Sequence, residues 1–275
     1  MADQVLLAAI AASTLAGITA GSISPLVVAS GNIFLAVEMV HAVLAAGVIG
    51  GIAGALGWPL PPLLASVAAV VALGLLAAGL VEAGVDQDVA VGVTAFTSAV
   101  VVAVGVYILV RVDPAGASVI SGLLVGSVFY TTPGDLQSLL AVASVVAGLV
   151  YLFDREMAYT YFDPEGAQLA GSRPWLYRSL FTVLVSAAAM SLTYVAGALM
   201  AHIILVAPGV LALGAASRRG VPAVLAASLL VGVASMDAGV LLAWETGLNA
   251  AGSVGLTLAA VFAAYAIARR GGGRG

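Results

Sequence analysis

The chain has 275 residues, of which 63% are hydrophobic and only 8% charged, with a formal net charge of -4 and a mean hydropathy of +1.18. Those values lie far outside the range of soluble globular domains, so the chain reads as an integral membrane protein. All nine basic residues are arginine, too few and too dispersed for a nucleic-acid surface, and the absence of cysteine excludes disulfides and thiolate metal sites.

Apolar runs long enough to cross a bilayer, roughly 20 residues at 1.5 Å rise each, recur along nearly the whole chain. They are continuous Ala/Val/Leu/Gly blocks. Such blocks satisfy their backbone only as helices, whereas a membrane barrel needs short alternating segments. The predicted spans are 5–28, 34–57, 61–82, 89–111, 137–153, 176–197, 199–215, 221–243 and 250–268. The count falls to eight if 199–215, which contains Pro208, is a broken half-helix. The first run has no basic residue before it and is expected to be retained as a helix. The stretch 118–131, "SVISGLLVGSVFYT", is too short and glycine-broken to span and reads as a re-entrant or surface helix packed against protein.

Arginine sets the orientation. Eight of the nine fall in three groups: Arg155, Arg173 and Arg178; Arg218 and Arg219; Arg269, Arg270 and Arg274. These groups are expected in the cytoplasm, with the carboxyl terminus inside and, for nine spans, the amino terminus outside. The one sizeable polar segment covers 151–178. Within it "FDPEGAQLAG" (162–171) has the grammar of a capped helix: Asp163 as N-cap, Pro164 at the first position, Glu165 in the first turn and Gly171 closing the end.

Ionisable side chains at membrane depth are few. Glu38 is the sole charge between Val5 and Val81, and it lies three residues before His41, one of only two histidines. Residues 38 and 41 share a helix face, so a carboxylate and an imidazole lie side by side, a set suited to a borderline divalent cation. An acidic side chain near a helix centre costs about 2.5–3.5 kcal/mol to insert, which favours a pathway over accident. A structural Glu38–His41 hydrogen bond is the alternative. Metal binding needs a neutral imidazole, so acidification should weaken it. The second histidine, His202, is a further candidate ligand or a partner of a neighbouring carbonyl. Asp237 lies deep in the eighth run, either lining a path or in a packed pair, and Glu245 beside Trp244 reads as an interfacial anchor. Met39 points away from the Glu38–His41 face, towards packing or lipid. Gly47, Gly51 and Ala55, and Gly50 with Gly54, make two small-residue stripes on the same span, which implies close helix approach.

Three segments, "VVASGNIFLAVEMVHAVLAAG" (27–47), "FDPEGAQLAG" (162–171) and "VAGALMAHIILVAPG" (195–209), resemble in order and separation the permease subunit of the ABC importers that take up zinc, manganese or iron. The likeness covers about residues 10–265, including "NAAGS" (249–253) before the last span. It implies an all-α polytopic membrane bundle of 8–9 spans, of the type II ABC importer permease kind. It also implies one transmembrane permease domain over 1–275, with a cytoplasmic coupling segment at 154–178 in a multi-pass protein of the plasma membrane. Phe162, Asp163, Ala167 and Gly171 fill the places of the family's coupling helix, with Pro164 and Glu165 between them, and Gly197 and Pro208 match the family's later Gly and Pro. His41 matches a cation-site histidine. The aspartate expected four residues earlier is Val37, for which Glu38 is the nearest substitute. His202 stands where the family usually has a small or aliphatic residue and reads as an extra ligand in place of the missing aspartate; Glu38, His41 and His202, with Asp237 from its depth in the eighth run, are the expected metal residues. The implied partners are a second permease copy, a cytoplasmic ATPase dimer that supplies ATP hydrolysis and an extracellular metal-binding protein. The cargo is a divalent cation moved by alternating access, with no covalently bound cofactor. This chain has no Walker-type motif and no lysine, consistent with nucleotide chemistry elsewhere. An ion-coupled secondary carrier and a permease for a metal chelate or vitamin are the rival readings.

Overall fold

The computed structural model describes residues 2–31, 33–114, 117–126 and 128–272; Ser127 of the 118–131 stretch and Arg274 lie outside them. Among the described residues nine helices are long and apolar enough to span a membrane. They are α1 (Ala2–Ala29), α2 (Ile33–Ala55), α3 (Pro62–Glu82), α4 (Gln87–Val112), α6 (Pro133–Phe162), α8 (Pro174–Ala196), α9 (Ala198–Ala216), α10 (Val221–Thr246) and α11 (Ala250–Gly272). Two short helices complete the set, α5 (Ala117–Val125) and α7 (Pro164–Leu169).

The spans pack in two groups about α8. On one side α1 lies against α10, α9 and α6, with α11 behind α9 and α10; on the other, α2 lies against α3 and α4. The central helix α8 is almost wholly buried: Leu184, Val185, Ala188, Ala189 and Leu192 have no exposed surface. At the rim, α4 turns Val89, Val93, Phe96, Val100 and Tyr107 outward. With Val104, also exposed, their three- and four-residue spacing makes one apolar face suited to lipid.

Two helix crossings depend on the absence of side-chain bulk or on a borrowed hydrogen bond. A Cβ on Gly17 would sit 2.6 Å from Val233 Cα and one on Gly21 would sit 2.6 Å from Leu229 Cα, so α1 and α10 touch backbone to backbone. In α9, Pro208 deprives the preceding turn of a ladder donor. Ser24 of α1 bonds the backbone on either side of the proline, donating from Oγ to the Val206 carbonyl (3.0 Å) and accepting from the Gly209 N–H (2.8 Å). The helix therefore runs unbroken from 198 to 216, and the half-helix alternative is not what forms.

The stretch 118–131 forms α5 and a 3-10 turn, Val128–Tyr130, and α5 packs on α2, α8 and α9. Its end sits on the joint between α8 and α9, where a single residue, Gly197 (φ +82°), separates the two helices. Gly126 (φ +91°) meets that joint: a Cβ on Gly197 would lie 2.7 Å from the Gly126 nitrogen, and one on Gly126 would lie 2.7 Å from the Val195 oxygen and 3.0 Å from the Gly197 nitrogen. One expectation is corrected. The fifth span does not stop at 153 but continues, after a kink at Phe153 (φ -124°, ψ 17°), to Phe162. The cause is burial of Met157 and Thr160 together with Tyr161 packed edge-on to Phe181, ring centroids 5.1 Å apart. These contacts let a polar sequence remain helical beyond its apolar run.

Gly17→Ala and Gly21→Ala are each expected to lower stability by about 1–3 kcal/mol, because backbone on both sides cannot yield. Gly79→Ala and Gly148→Ala, where an added Cβ meets nothing within 4 Å, should instead be neutral or stabilising by up to about 1 kcal/mol. Thermal unfolding of the purified protein in nanodiscs measures both.

Candidate metal site at membrane depth

Strict alternation of nine spans brings the described arginine-bearing ends of α6, α8, α9, α10 and α11 to one end of the bundle. An ion pair there, Arg178 to Glu82 at 3.8 Å, joins the start of α8 to the end of α3. From that end His41 lies eight residues along α2, about 12 Å. His202 lies four residues into α9 from the opposite end, about 6 Å beyond the Gly197 joint. The two rings nevertheless meet, with centroids 5.1 Å apart and planes at 64°. The joint makes this possible, because α9 begins beneath α5 instead of at the bundle's outer edge.

His41 is exposed on the isolated chain and His202 is partly buried. His41 is held by its own helix: its Nδ1 lies 3.0 Å from the Val37 carbonyl, and a carbonyl can only accept, so in the neutral imidazole Nδ1 carries the proton and Nε2 keeps its lone pair. Glu38, one turn from His41, is 8% exposed, and its Oε1 has no hydrogen-bond partner among the described residues. An unmatched buried polar atom costs about 1–3 kcal/mol.

The remaining sequence candidates are placed differently. Asp237 accepts hydrogen bonds from Ser13 Oγ and from Thr14 Oγ1, the latter at 2.9 and 3.1 Å to its two oxygens, which ties α10 to α1. Glu245 is exposed at the end of α10 beside Trp244, whose ring lies 5.9 Å from that of Phe129. Met39 is fully buried, and its sulfur accepts from Ser186 Oγ at 3.1 Å, so it packs against α8 and not against lipid. Among the described residues no three His, Asp or Glu side chains gather closely enough to hold a metal ion. The histidine pair stands alone as a group of two.

On the end away from the arginines a cavity of 390 Å³ is lined by Gly47, Gly51, Ser66, Asp113, Asp135 and Tyr194, among others. Gly47 lies six residues, about 9 Å, along α2 from His41, so the cavity lining reaches to within two helical turns of the pair. Sequence reading passed over Asp113 and Asp135. Both sit at helix ends, where an acidic residue carries no signal beyond capping, and Asp135 is in fact part of a capping box with Thr132.

At the arginine-bearing end α7 has the expected grammar. Asp163 Oδ1 accepts from the Gly166 N–H at 2.8 Å, Pro164 opens the helix, Glu165 stands exposed in its first turn and Ala167 is fully buried. Gly171 (φ +82°) closes it, with Ser172 N–H bonded to the Ala167 carbonyl at 2.9 Å. Outward from this clip stand Phe162, Leu169 and Trp175, exposed by 69%, 90% and 51%. Three large apolar side chains in an otherwise polar segment have the makings of a docking surface.

Comparison with known proteins agrees with this architecture. The manganese transport system membrane protein MntC of Halalkalibacterium halodurans is 26% identical over 255 residues, covering 93% of this chain and 84% of that protein. The PsaBC structure from Streptococcus pneumoniae, in complex with Fab, superposes with a TM-score of 0.79 at 20% identity, covering 95% of this chain and 90% of the other. An inward-facing transporter described as metal-chelate type ABC superposes with a TM-score of 0.64 at 14% identity, covering 93% and 84%. At those identities the likeness is one of fold. The model of the ABC 3 transport family matches residues 2–269, which is nearly the whole length, and this multi-pass membrane protein therefore belongs to the ABC 3 transport family.

Proposed function

We propose that the chain is the permease subunit of an ATP-driven importer that carries a divalent transition-metal cation, zinc, manganese or iron, across the membrane. The observation that supports this most directly is the meeting of His41 and His202 at membrane depth, rings 5.1 Å apart, from helices in different packing groups. Imidazole is a ligand for borderline dications and has no packing advantage over the aliphatic residues around it. In this reading His41 and His202 meet the cation from its two sides. Glu38, buried with one carboxylate oxygen unmatched, supplies negative charge beside them. Asp237, bonded by Ser13 and Thr14, braces α1 on α10.

His41 is exposed on a face that would otherwise meet hydrocarbon, and a second copy of the chain covers it in the proposed assembly. The cavity lined by Asp113 and Asp135 then opens outward, where an extracellular metal-binding protein delivers the ion, and carboxylates at its mouth favour a cation over an anion. The arginine-bearing end faces the cytoplasm. There Phe162, Leu169 and Trp175, on a segment stiffened by the Asp163 cap and the Gly171 turn, receive a partner ATPase dimer. ATP-driven closure of that dimer moves the two packing groups so that the path opens to one side at a time. The chain carries out no chemistry on nucleotide.

Vesicles containing this chain and its partner ATPase are expected to take up at least one of Zn²⁺, Mn²⁺ and Fe²⁺ when ATP is supplied. His41→Ala should reduce that uptake at least ~10-fold, the loss of one ligand to a two-imidazole site, and Glu38→Gln by a smaller factor. Unchanged uptake of all three ions in both variants would sink the site.

Leu169→Asp changes a side chain that is 90% exposed, so folding should move by no more than about 0.5 kcal/mol. Co-purification of the ATPase and ATP-driven uptake should nonetheless both fall about tenfold or more, because an apolar anchor at the centre of a docking surface carries most of its affinity. Full retention of both would remove α7 from the coupling role.

A further inference from the structure

The reading of this chain as a divalent-metal permease leaves its choice of metal open, and the donor atoms at the histidine pair bear on that choice. We propose that His202 is a specificity-determining residue: with His41 it gives the transported cation two nitrogen donors and no carboxylate oxygen from this chain, which favours Zn²⁺ over Mn²⁺.

Geometry supports a shared ion. Two imidazoles bound to one tetrahedral cation at the usual 2.0–2.1 Å hold their ring centroids roughly 5 Å apart, and the observed separation is 5.1 Å with planes at 64°. The tautomer of a neutral His41 is set by its helix: the Nδ1–H donates to the Val37 carbonyl at 3.0 Å, which leaves Nε2 to ligate. Such an outer bond orients a ligating imidazole and raises its basicity.

The oxygen side of the donor set is missing. Position 37, one turn before His41 on the same helix face, is valine and offers no donor. Glu38 is buried, at 8% exposure, whereas His41 is exposed. No third His, Asp or Glu joins the pair among the described residues. Carboxylate and water oxygens suit Mn²⁺, whereas imidazole nitrogens suit Zn²⁺. Any site of this kind holds Zn²⁺ above Mn²⁺ to some degree, because affinities rise along the first transition row. The distinguishing expectation is therefore that the ratio of the two affinities depends on His202.

The test titrates the full-length chain in nanodiscs with Zn²⁺ and with Mn²⁺ by calorimetry, using Co²⁺ as an optical probe of donor type. His202→Gln and His202→Ala are each expected to weaken Zn²⁺ at least tenfold while shifting Mn²⁺ less than about threefold, and to change the Co²⁺ ligand-field band. Val37→Asp combined with His202→Gln, which replaces a nitrogen donor with an oxygen donor, should tighten Mn²⁺ relative to either single change. Equal loss of both ions on removing His202, or no loss of either, overturns the proposal. If both ions still bind and His41→Ala abolishes that binding, the metal-permease reading survives that failure. Wild-type protein that binds neither ion overturns both readings.

Discussion

Ser24 holds together the part of the structure on which the candidate site depends. Inside hydrocarbon every unpaired backbone group is costly, because no water is present to take it up. Pro208 interrupts the ladder of α9, and Ser24 bonds the backbone on either side of it, at Val206 and Gly209, with two bonds from α1. A Cβ on the adjacent Gly209 would lie 2.5 Å from the backbone of Ser24, so the two helices are locked at this crossing by close approach as well as by hydrogen bonding. His202 is six residues before Pro208 on the same helix. Its position is thus inherited from α1, and through the glycine contacts of α1 from α10 as well. His41 inherits its position from α2, α3 and α4, which touch α1 hardly at all. The two imidazoles meet across the seam between two separately braced groups.

Polar side chains in this chain fall into two kinds. Asp237 is fully answered: two hydroxyls from α1 reach its carboxylate, and the cluster sits one turn from the glycine contacts that fix α1 on α10. Such satisfied pairs favour a single arrangement and need no ligand. Glu38 has an oxygen without a partner among the described residues, and His41 stands on an outer face of a chain whose other outward residues at that depth are mostly apolar. A membrane helix gains nothing from those two features by packing alone. The contrast between residues of the same chemical type, one saturated and one not, separates scaffold from candidate function better than residue identity does.

The sequence displayed some of this and hid the rest for physical reasons. Spans were legible because hydrophobicity is a property of each segment by itself. The α7 clip was legible because Asp163, Pro164 and Gly171 act within a few residues of one another. The continuation of α6 to Phe162 was not, since it rests on Tyr161 packing against Phe181 from another span. Nor could the sequence reveal that His41 and His202 meet. That depends on Gly197 starting α9 beneath α5 and on the depth at which α2 and α9 cross, both set by tertiary packing. The sequence left Asp237 between a path and a packed pair because its bond partners, Ser13 and Thr14, lie at the far end of the chain and are unremarkable in composition.

The seam also bears on how a carrier can release what it binds. A cation enclosed by four rigid ligands is a structural ion, while one held by few ligands with open positions exchanges readily. In the proposed reading each ligand belongs to a different braced group, so a relative shift of the groups by an ångström or two would separate the nitrogens beyond shared coordination. Affinity then falls without any change of protonation at the site. Binding both ligands on one helix would not allow this, because their spacing would be fixed by the helix itself. In that reading a pair split between α2 and α9 converts motion of the bundle into a change of affinity, which is what the proposed ATP-driven permease needs from its cation site.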